Sequence, residues 1–343
     1  MEGNLKENMK LLIILLLFVS VYLGYKKFSE PQIPELSSDM VSFSKNVSFG
    51  TTINAASAKV GREKDFAIDL SNVEKEISLA SDLGAGLVRF DLERRTLESA
   101  GELAKLDGAV ACARDKKMKV YLAYLGRNSW LGSNEGGGNA SWDDFKKEYK
   151  SDTVFLMARY KPDYFLILPE CPYSIGRQVD SRRSLEEWFN FSKEVGLAIK
   201  QISFSTKVAL EGTVLSDGAK AMDRTFAERV LGNNDAVIDI FSMNAGSATE
   251  LEGGKKNLLG MKKKYHWEGE VWMGNVRNDS GNDMAEQEDY FLYSLHLANS
   301  AGFSGIILGQ LRDGSSDAGG IVAEDFSPKS SYTAIKEVMA KRK

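Results

Sequence analysis

Histidine and cysteine are scarce, with two of each in 343 residues. Two histidines leave little for a histidine-based metal centre or a nucleophile–histidine–carboxylate triad. Neither His266 nor His296 has a partner at ligand spacing, so both read as structural. Two cysteines exclude a disulfide-dense scaffold and any multi-cysteine zinc or iron–sulfur site. Cys112 falls in the helix before the third strand and Cys171 at the end of the fourth, a poor placement for a bridge. No motif implies a metal or another cofactor. Six prolines exclude a proline-rich linker protein. Cationic excess is missing too: 44 Lys and Arg against 48 Asp and Glu give a net charge of −4. Such a chain has no global attraction for phosphate backbones, so nucleic acid is not an expected partner. The run Lys262-Lys263-Lys264 is a solvated helix face, too small for a nucleic-acid footprint.

What is present is the profile of a folded globular chain, 43% hydrophobic and 27% charged. One segment stands apart. Leu11 to Tyr25 reads LLIILLLFVSVYLGY, with Lys10 before it and Lys26-Lys27 after it. An uncharged apolar run of this kind is a signal peptide or a membrane anchor. Val19-Ser20-Val21 is a poor cleavage site, so an uncleaved anchor touching the lipid bilayer through residues 9–25 is the expectation, with secretion the outcome if it is cleaved. The flanking lysines are balanced and do not settle its orientation. Four Asn-x-Ser triplets, at Asn46, Asn139, Asn190 and Asn278, fit an extracytoplasmic domain at the cell surface. The division is therefore an anchor or signal segment at 1–27, a polar stalk with Pro31 and Pro34 at 28–45, and a folded domain at 46–343.

Within that domain short apolar runs alternate with amphipathic stretches. The candidate strands are Val47–Asn54, Leu87–Leu92, Lys119–Leu125, Tyr164–Pro169, Lys207–Glu211, Val237–Asn244, Val271–Asn275 and Gly302–Gly309. They are nearly continuous in apolar residues instead of alternating, the mark of parallel strands buried on both faces. Helices are expected over Ser71–Leu83, Trp142–Tyr160, Ser184–Ile202, Ala219–Leu231, Asn257–Tyr265 and Glu286–Ala301. Ser71 with Glu74 and Ser184 with Glu187 have capping-box spacing, and Gly84 and Gly302 stand where a left-handed C-cap is wanted. Eight such units predict an α/β fold, the (β/α)8 TIM barrel, over a doubly wound sheet, because no Gly-x-Gly-x-x-Gly follows the first strand.

In such a barrel the chemistry lies where strands end. The strand ends hold Asn54, Arg89 with Asp91, Tyr124, Glu170, Glu211, Asn244, Asn275, and Gln310 followed by Arg312 and Asp313. Glu170 is the sharpest of these, a carboxyl closing an apolar strand between Pro169 and Pro172. An apolar setting favours its neutral form and suits a general acid, although a helix-capping or ion-paired carboxylate would look the same in sequence. Trp130, Tyr124 and Tyr173 offer flat faces for sugar rings, while Trp272, in mid-strand, reads as core. Asn54, Asn244, Asn275 and Arg89 suit hydroxyl groups. The Gly/Ser/Asp-rich stretch 313–320 reads as a lid or a weak cation loop without EF-hand spacing.

The stretch Lys161-Pro162-Asp163-Tyr164-Phe165-Leu166-Ile167-Leu168-Pro169-Glu170-Cys171-Pro172 resembles the fourth strand of the retaining β-glycosidase barrels, the clan of cellulases, β-galactanases and β-mannanases. Leu87-Val88-Arg89-Phe90 resembles that clan's second strand, and Ser327 to Lys336 is similar to its closing helix. The resemblance implies Glu170 as acid/base, a carbohydrate substrate, and a nucleophilic Glu ending strand 7. Here Glu270-Val271-Trp272-Met273-Gly274-Asn275 has its carboxylate at the wrong end. The Asn before the acid/base is Pro169, the His or Tyr after strand 6 is Met243-Asn244, and the strand 8 aromatic is Gln310. Two expectations follow. One is a glycoside hydrolase whose second carboxylate has moved, with Glu211 first and Asp91 or Asp313 behind it. The other is a catalytically inactive barrel serving as a glycan-binding or structural module.

Overall fold

The computed structural model describes residues 33–56, 68–126, 141–169, 183–212, 221–233, 237–278, 283–313 and 319–342. The apolar run at 11–25, Trp130, Glu170, Cys171 and Tyr173 lie outside them. Among the described residues no helix is long and apolar enough to cross a membrane.

Eight strands close a barrel in which every neighbour is parallel and β8 returns to β1. They are β1 Ser48–Thr52, β2 Leu87–Glu93, β3 Lys119–Gly126, β4 Tyr164–Ile167, β5 Lys207–Gly212, β6 Ile240–Ala245, β7 Glu270–Val276 and β8 Gly305–Leu308. The open doubly wound alternative is thereby excluded. Leu87, Tyr121, Ala123, Tyr164, Leu166, Ala209, Ile240, Trp272 and Ile307 pack together as the barrel interior. The residues between them, such as Val88, Phe90, Val120, Leu122, Phe165, Val208, Phe241 and Val271, are buried as well. Both faces of each strand are covered, which is why the strands read as unbroken apolar runs.

The described helices are α1 Leu70–Asp82, α2 Arg94–Glu98, α3 Ala100–Asp115, α4 Trp142–Tyr160, α5 Leu185–Ile202, α6 Ala221–Leu231, α7 Ala248–Tyr265, α8 Met284–Ser300 and α9 Ser330–Ala340. The Ser184–Glu187 capping box forms as expected at the head of α5, and Gly84 and Gly302 take left-handed φ values of 84° and 82°. The expected box at Ser71 does not form. The helix starts one residue earlier, and the Asp69 carboxylate accepts from the amides of Ser71 and Asn72. Helix α7 starts well before the expected Asn257, capped by Ser247. The Gly253-Gly254 pair hides the turn in sequence, yet Gly254 lies inside the helix against Met243.

Residues 34–45, expected as a stalk, belong to the folded unit, which spans Pro34–Lys343. Val41 and Phe43 are buried, and the Phe43 ring meets Phe49 edge-on at 6.0 Å. The Ser44 amide donates to Asn299 on α8 at 3.1 Å, and Arg342, past α9, donates to the carbonyl of Ser44 at 3.0 Å. The many serines and the two prolines conceal this apolar pair from a reading by composition.

Candidate active site

Strand β2 sets the site. Leu87 faces the barrel interior, so Arg89 and Asp91, two and four residues on, face the same way at the end where strands finish. The Arg89 side chain is 1% exposed. Its Nε donates to Asp91 Oδ1 at 2.6 Å, and its Nη1 donates to Glu211 Oε2 at 2.7 Å and to the Gly274 carbonyl at 2.9 Å. On β5, Ala209 faces inward and brings Glu211 with it. The other oxygen of Glu211 accepts from Asn244 Nδ2 at 3.1 Å. Burial works against the Arg89 cation, but Asp91 and Glu211 beside it prevail and hold its pKa well above the ordinary arginine value. One buried cation thus lies between two carboxylates from different strands.

Three polar atoms around this centre have no hydrogen-bond partner among the described residues: Arg89 Nη2, Asn244 Oδ1 and the Tyr121 hydroxyl. The Tyr121 ring lies 5.8 Å from the Arg89 guanidinium, and burial pushes its phenol far above the usual tyrosine range. A donor and an acceptor left open on either side of Glu211 form a setting for a hydroxyl-bearing ligand, since buried polar groups are otherwise satisfied.

The remaining expected residues divide. Asn54 donates its amide N–H to Glu76 Oε2 at 2.6 Å and its side-chain NH2 to the Arg312 carbonyl. Arg312 Nε donates to the other Glu76 oxygen at 2.8 Å, and Gln310 reaches the Arg312 carbonyl at 3.0 Å. Asp313 accepts from Lys329 and from the Gly320 amide, each at 2.9 Å. Asn54, Gln310 and Asp313 therefore tie the exits of β1 and β8 together. Asn275 is buried against Gly309. Tyr124 turns the other way. On β3 the inward residues are Tyr121 and Ala123, so Tyr124 points into the helix layer, where its hydroxyl donates to Asp152 on α4 and its ring lies 5.0 Å from Tyr149. A sugar platform is not available from that position. Trp272 is core, as expected. Cys112 is a half-buried free thiol.

Two buried carboxyls were not among the expected site residues, although Glu93 was legible at the exit of strand 2. Glu93, which ends β2, is buried, and burial outweighs the opposing pull of Arg95, raising its pKa to about 7. Glu76 is fully buried on α1. Its signal was a carboxylate on the apolar face shared by Val73, Ile77 and Ala80. Among the described residues no group of His, Cys, Asp and Glu could hold a metal ion.

No family model and no curated protein matches the chain. Solved structures do. An exo-β-1,4-mannosidase from Opitutaceae bacterium strain TAV5 superposes with a TM-score of 0.61 at 13% identity, over 91% of this chain and 62% of that one. A β-glucuronidase from Bacteroides uniformis, bound covalently to a cyclophellitol-6-carboxylate aziridine, gives 0.59 at 12% identity, over 84% of this chain and 34% of that one. A GH10 endoxylanase retrieved from a sugarcane soil metagenome gives 0.58 at 12% identity, over 85% of this chain and 97% of that one. The chain thus spans less than two thirds of the mannosidase and about a third of the glucuronidase, but nearly the whole xylanase. The fold of this chain is the (β/α)8 barrel that these glycosidases carry.

Proposed function

We propose that the protein is a membrane-anchored, extracytoplasmic glycoside hydrolase acting on a polysaccharide or oligosaccharide, with Glu170 as general acid/base and Glu211 as the second carboxylate. The observation that carries this reading is the seating of Glu211: one oxygen on Arg89 and the other on Asn244, with the open Arg89 Nη2 and Asn244 Oδ1 beside it. A carboxylate oriented by two fixed donors suits attack on an anomeric carbon, or the holding of a water that attacks it. On β4 the inward residues are Tyr164 and Leu166, and the strand ends at Ile167, three positions before Glu170 in the sequence. In this mechanism Glu170 gives its proton to the glycosidic oxygen as the bond to the sugar breaks. Glu211 then either forms a glycosyl ester, which water cleaves with Glu170 as base, or activates that water directly. The separation of the two carboxyls decides between these courses, about 5 Å for the first and about 6.5–9.5 Å for the second. Trp130 and Tyr173 are the proposed stacking surfaces. The run at 11–25 would supply the anchor, and Asn46 and Asn190, both exposed, are compatible with an extracytoplasmic location.

The test is turnover of a panel of aryl glycosides and polysaccharides by the full chain and by Glu170→Gln and Glu211→Gln. Loss of at least 100-fold in kcat in both variants is expected. Unchanged turnover in either removes that residue from the mechanism. A second reading has its own observation: the Glu211 side chain is 0% exposed and both its oxygens are engaged, as a purely structural counter-ion would be. On that reading the barrel binds glycan without cleaving it, and wild type retains oligosaccharides in a binding assay while the whole panel stays intact.

A further inference from the structure

Glu211 on β5 and Arg89 on β2 meet across the barrel interior. Glu211 is in register with Ser242 on β6, and Ser242 is in register with Trp272, two residues before Gly274 on β7. A Cβ placed on Gly274 would lie 3.0 Å from Glu211 Oε2, and 2.6 and 2.7 Å from Ser242 Oγ and Cβ. The two contacts to Ser242 are too short for packed atoms and the one to Glu211 is tight, so a side chain at 274 needs Ser242 out of its path and crowds the Glu211 carboxylate. Gly274 also shares a donor with Glu211, since Arg89 Nη1 donates to both.

We infer that positions 211 and 274 are alternative suppliers of one carboxylate. The strand-5 side chain fills, from the side, the place over the Arg89 guanidinium that a strand-7 side chain would otherwise take. Ser242 and Gly274 are the positioning residues whose small size admits it. The geometric part stands on the ion pair and the close approach. Only its catalytic consequence rests on Glu211 being the second carboxylate.

The experiment moves the carboxylate. In a Ser242→Gly background, which removes the serine from the path, the thermal midpoint of the full chain is measured for Glu211→Ala alone, with Gly274→Glu added, and with Gly274→Gln added. Loss of Glu211 strips Arg89 of one counter-ion, and a fall of about 5 °C or more is expected. Gly274→Glu restores at least half of that fall and Gly274→Gln restores none, because only a carboxylate re-pairs the guanidinium. Equal midpoints for the Glu and Gln additions overturn the inference. Turnover separates it from the proposed function. Where the panel is cleaved, Gly274→Glu recovers at least tenfold over Glu211→Ala. Thermal rescue with no cleavage by any protein, wild type included, upholds the shared position and removes the hydrolytic reading alone. If Ser242→Gly does not fold, Gly274→Ala puts the question as a double-mutant cycle: it should lower the midpoint less in a Glu211→Ala chain than in the otherwise unaltered one, and an equal fall in the two overturns the inference.

Discussion

Arg89 and Glu211 are 122 residues apart in sequence and 2.7 Å apart across the barrel, Nη1 to Oε2. With Asp91 on its other side, the guanidinium lies between two carboxylates that are 3% and 0% exposed. Such a group has little value as a source of stability, because desolvating three charges offsets most of their attraction, but it is costly to break.

Arg89→Met is therefore expected to destabilise the fold by about 3–5 kcal/mol at neutral pH, read from urea unfolding, since it leaves two buried carboxylates facing each other. A variant that unfolds at the same urea concentration as wild type would contradict this account of the ion group. Arg89→Lys keeps the charge but cannot reach both carboxylates and Gly274 at once, so it should fall between the two.

Glu93 predicts a pH dependence of stability. Its folded pKa is raised to about 7 from 4.5, chiefly by burial, with Arg95 opposing. The folded chain therefore holds this proton more tightly than the unfolded one. Stability linked to Glu93 is fully present below about pH 4.5 and is lost as pH rises through 7. The loss is about 2 kcal/mol after allowing for solvent near the half-exposed Arg95. Glu93→Gln should match wild type near pH 4.5 and exceed it by that amount at pH 8. Parallel stability curves for the two proteins would show that the carboxyl titrates normally.

How much of this was legible in sequence follows from what sequence encodes locally. The eight strands were readable because burial on both faces leaves unbroken apolar runs, and Arg89, Asp91, Glu211 and Asn244 were readable as strand-end residues. What joined those four, while sending Tyr124 to Asp152, is side-chain parity, and parity depends on the first inward residue of each strand. That choice is made by the packing of Tyr121 and Ala123 against Leu166 and Ala209 in the interior. The irregular registers between Leu92 and Glu93 and between Met243 and Asn244 shift it further near the site. Nothing local ties Gly274 to Glu211, 63 positions earlier, although a Cβ at 274 would lie 3.0 Å from its Oε2.

The segment before β1 supplies the last prediction. Composition places the folded domain at 46–343, but the folded unit begins at Pro34. Phe43 is 2% exposed and packs against Phe49, and the Arg342 guanidinium lies 5.2 Å from its ring while donating to the Ser44 carbonyl. Removing this strap uncovers Phe49 and takes the Ser44 and Lys45 carbonyls from Arg342, whose pKa burial already lowers. The reference is a chain starting at residue 34, with its stability read from urea unfolding. A chain starting at residue 46 should lose about 3–5 kcal/mol, the scale of deleting a buried phenylalanine, and Phe43→Ala in the full chain should lose a similar amount. Equal midpoints for the chains starting at 34 and 46 would return residues 34–45 to the role of a stalk.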